Sequence, residues 1–250
     1  MFLEFKTWRK TPDGTLFYVS CPTNKAFFSM ETKKHSFWHR NGLSLTLTGC
    51  FLVFWAGQAY TGWQVHNQEL TENGAAAMAL GSYLRSGHFM SATFENWESE
   101  FFQMGIYVLF TVFLRQRGSA ESKPMEEPEE TDRKPQASPN ANWAVRKGGF
   151  WLLVYKNSLS LAFAALFLFS FAMHAIGSYR SHLDEQQAKR QPAETWQKYL
   201  AGSEFWFESL QNWQSEFVAV LSIVVLSIFL RQQGSPQSKP VDAANSETGT

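Results

Sequence analysis

LSLTLTGCFLVFWAGQAYTGW, Leu43 to Trp63, is a run of 21 residues without Lys, Arg, Asp or Glu, and LSLAFAALFLFSFAMHAIGSY, Leu159 to Tyr179, shares that property 116 residues later. A helix of that length rises about 31 Å, matching a hydrocarbon core about 30 Å thick. Apolar side chains occupy every face of the helical wheel, which excludes the amphipathic surface helix of a soluble protein. The two runs predict membrane spans.

The same 116-residue shift aligns Asn41–Pro124 with Asn157–Pro240 without a gap, with 29 of 84 positions identical. NGLSL (Asn41 to Leu45) matches NSLSL (Asn157 to Leu161), and FENWESEF (Phe94 to Phe101) matches LQNWQSEF (Leu210 to Phe217). FLRQRGS (Phe113 to Ser119) likewise matches FLRQQGS (Phe229 to Ser235), and SKP follows in both copies. An internal repeat of this kind reads as a duplication. Each unit has a second apolar run, Phe101–Leu114 or Phe217–Leu230, of only 14 residues. Fourteen residues cover about 21 Å, so each helix has to extend backwards through NWxSE to cross.

The expected fold is therefore an all-α membrane protein, with four transmembrane helices arranged as two tandem parallel-repeat hairpins. The first repeat covers residues 34–118, with spans at about 43–63 and 97–115; the second covers 143–234, with spans at about 159–179 and 213–231. Residues 119–142, rich in Pro, Glu and Ser, read as a disordered cytoplasmic linker, and residues 235–250 as a disordered tail. Residues 1–33 read as a disordered leader or as an extension upstream of a start at Met30. Short helices are expected in the outer loops at Leu80 to Ser86 and Thr195 to Ala201.

Charge sets the expected orientation. Lys33, Lys34, Arg40, Arg115, Arg117, Lys123, Arg133, Lys134, Arg146, Lys147, Lys156, Arg231 and Lys239 flank one side, thirteen in all. Five flank the other: Arg85, Arg180, Lys189, Arg190 and Lys198. Both termini and the linker are expected in the cytoplasm. Arg115 and Arg231, each followed by Gln and soon by Gly, read as cytoplasmic anchors with a helix stop, and Trp97 and Trp213 as anchors at the far interface. Lys plus Arg and Asp plus Glu balance at 22 each, so charge points to no nucleic-acid partner. Phe (23) and Trp (10) suit interfacial belts, and the slightly negative mean hydropathy of −0.26 averages apolar blocks with very polar segments. Cys21 and Cys50 lie in unlike surroundings, and no disulfide is expected between them.

NGLSL, NWESEF, FLRQRGSAESKP and their second copies resemble an uncharacterised bacterial membrane-protein family, domain of unknown function 6766, over about residues 34 to 249. The resemblance implies four membrane helices in a multi-pass protein of the bacterial inner membrane. It implies no activity and no site residue.

Candidate chemistry comes from polar residues at membrane depth. Glu100 and Glu216 stay Glu in both units, whereas Glu95 and Glu98 become Gln211 and Gln214. Asn96 and Asn212 stand four residues before those glutamates, on the same helical face. Gln58 and His174 occupy equivalent positions at a similar depth, so the six residues are expected to form one polar layer in the outer leaflet. The layer could relay protons or hold the helices together by hydrogen bonds. HxxE occurs as His66 with Glu69 and again as His182 with Glu185, a weak metal pattern in which the second copy could complete a four-ligand site. No phosphate-binding Gly-rich loop, GxSxG, HExxH or CxxC is present, so neither an enzyme nor a cofactor is indicated. The expected function is a non-enzymatic envelope scaffold or interaction protein in the lipid bilayer, including as a homo-oligomer; the alternative is a small transporter or channel for protons or cations.

Overall fold

The structure is a computed structural model that describes residues 7–10, 16–19, 36–126 and 128–249. The chain divides into two compact units, Met1–Leu52 and Val53–Thr250. In the first, strands β1 (Thr7–Lys10) and β2 (Leu16–Val19) pair antiparallel, with Thr7 opposite Val19 and Lys10 opposite Leu16. Helix α1 (Phe37–Glu72) begins in this unit and ends in the second. The second unit continues with α2 (Leu80–Tyr83), α3 (Gly87–Phe113), α4 (Trp143–Lys147) and α5 (Gly149–Lys156). It ends with α6 (Ser158–Ala188), α7 (Trp196–Ala201) and α8 (Ser203–Phe229). Apart from the strand pair and one 3₁₀ turn at Glu130–Asp132, the regular elements among the described residues are α-helices. Cys21 lies outside the described residues; Cys50 is free and exposed.

Three helices, α1, α6 and α8, are long and apolar enough to cross a membrane. The fourth expected span falls in α3, which has the 27-residue length of α8 but is not among the three. The difference is apolar content: where α8 has Ala219, Leu221 and Ile223, α3 has Gln103, Gly105 and Tyr107. Helix α3 also starts ten residues before the expected span, at Gly87, because the Ser86 side chain caps it by accepting from Phe89 N at 3.2 Å.

Packing in the second unit reverses the usual soluble pattern. Phe54, Leu168 and Phe229 are 74%, 64% and 63% exposed, whereas Glu98, His174, Ser170 and Ser209 are wholly buried and Ser99 and Ser178 nearly so. Charged groups are almost never fully buried in water-soluble proteins unless paired, and large exposed apolar surfaces mark contact with something apolar. In a bilayer, apolar side chains gain nothing by turning inward, so small and polar residues form the helix contacts.

Helices α3 and α6 make the most extensive interhelical contact. Gly87 meets Gly177, Glu98 meets His174, Phe102 meets Phe167 and Gly105 meets Phe163, so contacts ascend one helix as they descend the other. The two run antiparallel. A Cβ at Gly87 would stand 2.6 Å from Ser181 N, and one at Gly177 the same distance from Ser91 N. Only glycine lets the backbones approach this closely. Helix α8 packs on the same α3, with Phe102 4.6 Å from Trp213 between ring centroids.

The loops are held by the same device at positions 116 apart. Trp63 Nε1 donates to Met78 O and Tyr179 OH to Glu194 O, both at 2.8 Å. Helices α2 and α7 lie within the two stretches expected to form short helices. At the opposite ends, Arg115 Nη1 donates back to Val112 O and Leu114 O, and Arg231 Nη1 to Ile228 O and Leu230 O. These bonds satisfy carbonyls that a helix end leaves open. Ser122 and Ser238 hydroxyls then accept from Gln116 N and Gln232 N, both at 2.9 Å, and Gly118 and Gly234 take φ of 85° and 82°. FLRQxGSxxSK is thus a helix-ending motif.

The linker and tail, expected from composition to lack order, carry defined contacts. Gly118 N donates to Thr248 Oγ1 at 2.8 Å, and Ser119 Oγ bonds Ser227 Oγ at 3.0 Å. Lys239 is buried because its ammonium donates to Ala244 O, Asn245 O and Glu247 O. Low apolar content removes the hydrophobic drive, but hydroxyls and carbonyls still satisfy one another locally.

A Gly177→Leu variant tests the crossing. Overpacking costs about 1–3 kcal/mol, so its melting temperature in detergent should fall clearly below wild type. Gly57→Leu, where an added Cβ meets nothing within 4 Å, should melt at or above it.

Candidate polar site

His174 lies inside the α3–α6 contact because position 174 follows Ser170 by one helical turn and precedes Gly177 and Ser178 by another. Its Nδ1 stands 3.1 Å from Glu98 Oε2, and its Nε2 stands 3.5 Å from Glu208 Oε2. The first is an ion-pair distance, but the groups are not aligned as a hydrogen bond, and neither Glu98 oxygen makes one within the chain. Phe205, also fully buried, covers the imidazole with its ring centroid 5.0 Å away. An imidazole between two carboxylates can hold a proton that any of the three groups could carry.

Glu95 and Glu208 bring this buried pair to an adjoining cavity of about 210 Å³. Glu95, Glu185, Glu204 and Glu208 offer carboxylates to it and His88 and His182 imidazoles, and among the described residues no Lys or Arg lines it. Ser178 donates to Glu208 Oε2 at 3.1 Å and also bonds the Tyr199 hydroxyl. Burial pushes the Tyr199 phenol up to about 12 despite the Ser178 bond, so it stays protonated at neutral pH. At the rim, Lys198 holds the Glu194 carboxyl below its ordinary range, with His182 adding to the effect. Acid groups thus face the cavity, with Lys189 paired to the lining Glu185 and Lys198 to Glu194.

The sequence-predicted residues divide. His174 is the centre of the site. Asn212 reaches it by donating to Glu95 Oε1. Gln58, at the position equivalent to His174, donates instead to Ala92 O at 3.0 Å, and Asn96 donates to the same carbonyl at 2.8 Å. Ala92 is the equivalent of Glu208, so each first helix touches the same position of its following helix. Glu100 is exposed and Glu216 half-buried; they lie within electrostatic reach of each other and away from His174. Trp213 packs between Phe102 and Phe167, and Trp97 against Trp55 and Phe94, so both indoles have partners inside the protein.

The two HxxE pairs do not meet in one four-ligand centre. His66 and Glu69 gather with His88, and His182 and Glu185 with Glu204, each within its own pair of helices. Positions 88 and 204 are themselves 116 apart.

Glu95, Glu98 and Glu208 went unselected in the sequence because none is retained at the equivalent position of the other unit. The available signal was spacing. Gly87, Ser91, Glu95 and Glu98 recur at intervals of four, four and three along α3, the stripe that meets Ser170, His174 and Gly177.

Residues 34–250 match the family described as Domain of unknown function (DUF6766), and the chain belongs to that family. No curated protein and no solved structure matches it.

Glu98→Ala should cost about 3–5 kcal/mol by stranding the buried imidazole, read as a fall in melting temperature in detergent. Glu100→Ala should stay within about 0.5 kcal/mol of wild type. The reverse order would place the buried carboxylate at the wrong glutamate.

Proposed function

We propose that this chain is an integral membrane protein that crosses the bilayer four times, and that its polar interior conducts or exchanges protons or small cations. The observation that carries the reading is His174, fully buried between Glu98 and Glu208 and adjoining an acidic cavity. Ionisable groups inside spans are costly and mark ion or proton paths by default. A purely architectural role has no use for a buried acid–imidazole pair, since apolar residues of similar volume often stabilise as well or better.

Helix α3 serves as the fourth span because Glu98 turns toward α6 and Glu95 toward α8, while Phe110 and Phe113 face outward. The bilayer is the lipid partner that covers the exposed aromatic and aliphatic faces. Helices α1 and α3 form one hairpin and α6 and α8 the other, the products of a duplication. In support, α3 and α8 have equal length and start 116 residues apart, and the Trp55–Phe89 contact recurs as Phe171–Phe205. The Lys and Arg bias favours an orientation with both termini and the linker on the cytoplasmic side of a bacterial inner membrane and the acidic cavity outside.

Two measurements test this. Purified chain in proteoliposomes enclosing a pH-sensitive dye should pass protons or a monovalent cation, and Glu95→Gln combined with His174→Gln should lower the flux at least tenfold while Glu100→Gln leaves it unchanged. Absence of flux from folded wild type removes the transport reading. Separately, Glu126→Cys in a background with Cys21→Ser and Cys50→Ser should react with an impermeant maleimide only after the cells are opened; labelling of intact cells reverses the orientation.

A further inference from the structure

We propose that His66, Glu69 and His88 form a binding site for a borderline divalent metal such as Zn²⁺, at the end of the α1–α3 pair away from the linker. The inference does not rest on the transport reading. Each of the three offers a ligand atom, and those atoms all lie within 4.8 Å of one another. In a tetrahedral zinc site with bonds of about 2.0–2.1 Å, ligand atoms stand roughly 3.4 Å apart. Closing that gap calls for rotation of the Glu69 carboxylate and the His66 imidazole toward His88.

Three features set this cluster apart from a solvated group of polar residues. The first is its donor set. Two imidazoles and one carboxylate suit zinc and its neighbours rather than magnesium or calcium, and three protein ligands leave a fourth position for water. The second is shielding. His66 Nδ1 is screened from solvent, makes no hydrogen bond, and stands 3.9 Å from Glu69 Oε2. Its ring centroid lies 4.7 Å from that of His88, with the planes tilted by 31°, so two basic groups stand side by side.

The third is outer support. The hydroxyl of Tyr83, 1% exposed, lies 3.2 Å from His88 Nδ1. That contact leaves Nε2 for the metal and supplies the Nδ1 hydrogen-bond partner that metal-bound histidines require. Gly62 makes room for this phenol, since a Cβ there would collide with the Tyr83 hydroxyl. At the equivalent position Ser178 bonds Tyr199 instead.

The corresponding cluster in the other unit explains why the first is the site. His182 has both nitrogens against carboxylates, Nε2 at 3.1 Å from Glu194 and Nδ1 at 3.5 Å from Glu204. Glu194 is paired with Lys198 at 2.7 Å. With one imidazole in place of two, and that one already engaged by Glu194, the second cluster binds a borderline metal more weakly.

The test uses the full chain, purified in detergent without a polyhistidine tag and cleared of metal with a chelator. Titration with Zn²⁺ should give one tight equivalent per chain. His66→Gln and His88→Gln should each weaken it at least tenfold, whereas His182→Gln should leave it unchanged. Cu²⁺ bound to wild type should show spin coupling to two imidazole nitrogens, a readout that no folding defect in a variant can mimic. Lack of a tight equivalent in wild type overturns the proposal. So does its survival in both His66→Gln and His88→Gln, or its loss only in His182→Gln.

Discussion

The close antiparallel crossing of α3 and α6 is the constraint on which the rest of the second unit depends. Gly87 and Gly177 allow the backbones to touch, and that approach carries Glu98 to His174 and Glu95 toward Asn212 and Glu208. Were the helices held apart by ordinary side chains, the imidazole would face water or lipid instead of two carboxylates. Close contact here buys polarity in the interior. The apolar side chains are left outside, where a bilayer serves as their solvent.

Two kinds of arrangement are superposed on the chain. Contacts within each helix pair recur at the 116-residue offset: the aromatic donor to the loop carbonyl, the arginine that ends the second helix, and the tyrosine beside a histidine. Contacts between pairs do not recur. Glu98, Glu208 and His174 correspond to Gln214, Ala92 and Gln58, so the charged line exists once. What the two helix pairs share is structural support, and what differs between them is the charged line.

This division decides how much of the molecule the sequence discloses. The long apolar helices follow from runs free of charge, and the ends of α3 and α8 follow from Arg, Gly and Ser at fixed spacing. His174 stands out as an ionisable residue in an apolar run. Preference for residues common to both units, however, singles out Glu100 and Glu216, which lie away from His174. It passes over Glu98, whose burial depends on a helix more than sixty residues further along the chain. Periodicity gives a helical face, but which face meets a distant helix is fixed by close packing between them. The HxxE pairs are similar: the spacing shows two ligands on one face, while the third, His88, arrives only when the loop folds back through Trp63 and Met78.

The most direct test of the account is a double-mutant cycle on Glu98 and His174, with unfolding free energies measured in detergent or bicelles for Glu98→Gln, His174→Gln and the double variant. Groups in direct buried contact couple by about 0.5–3 kcal/mol, whereas separate sites add. The structure predicts that the double variant is more stable than the sum of the single losses, because neither partner is left stranded. Strict additivity would contradict the buried pair and with it the α3–α6 crossing that creates it.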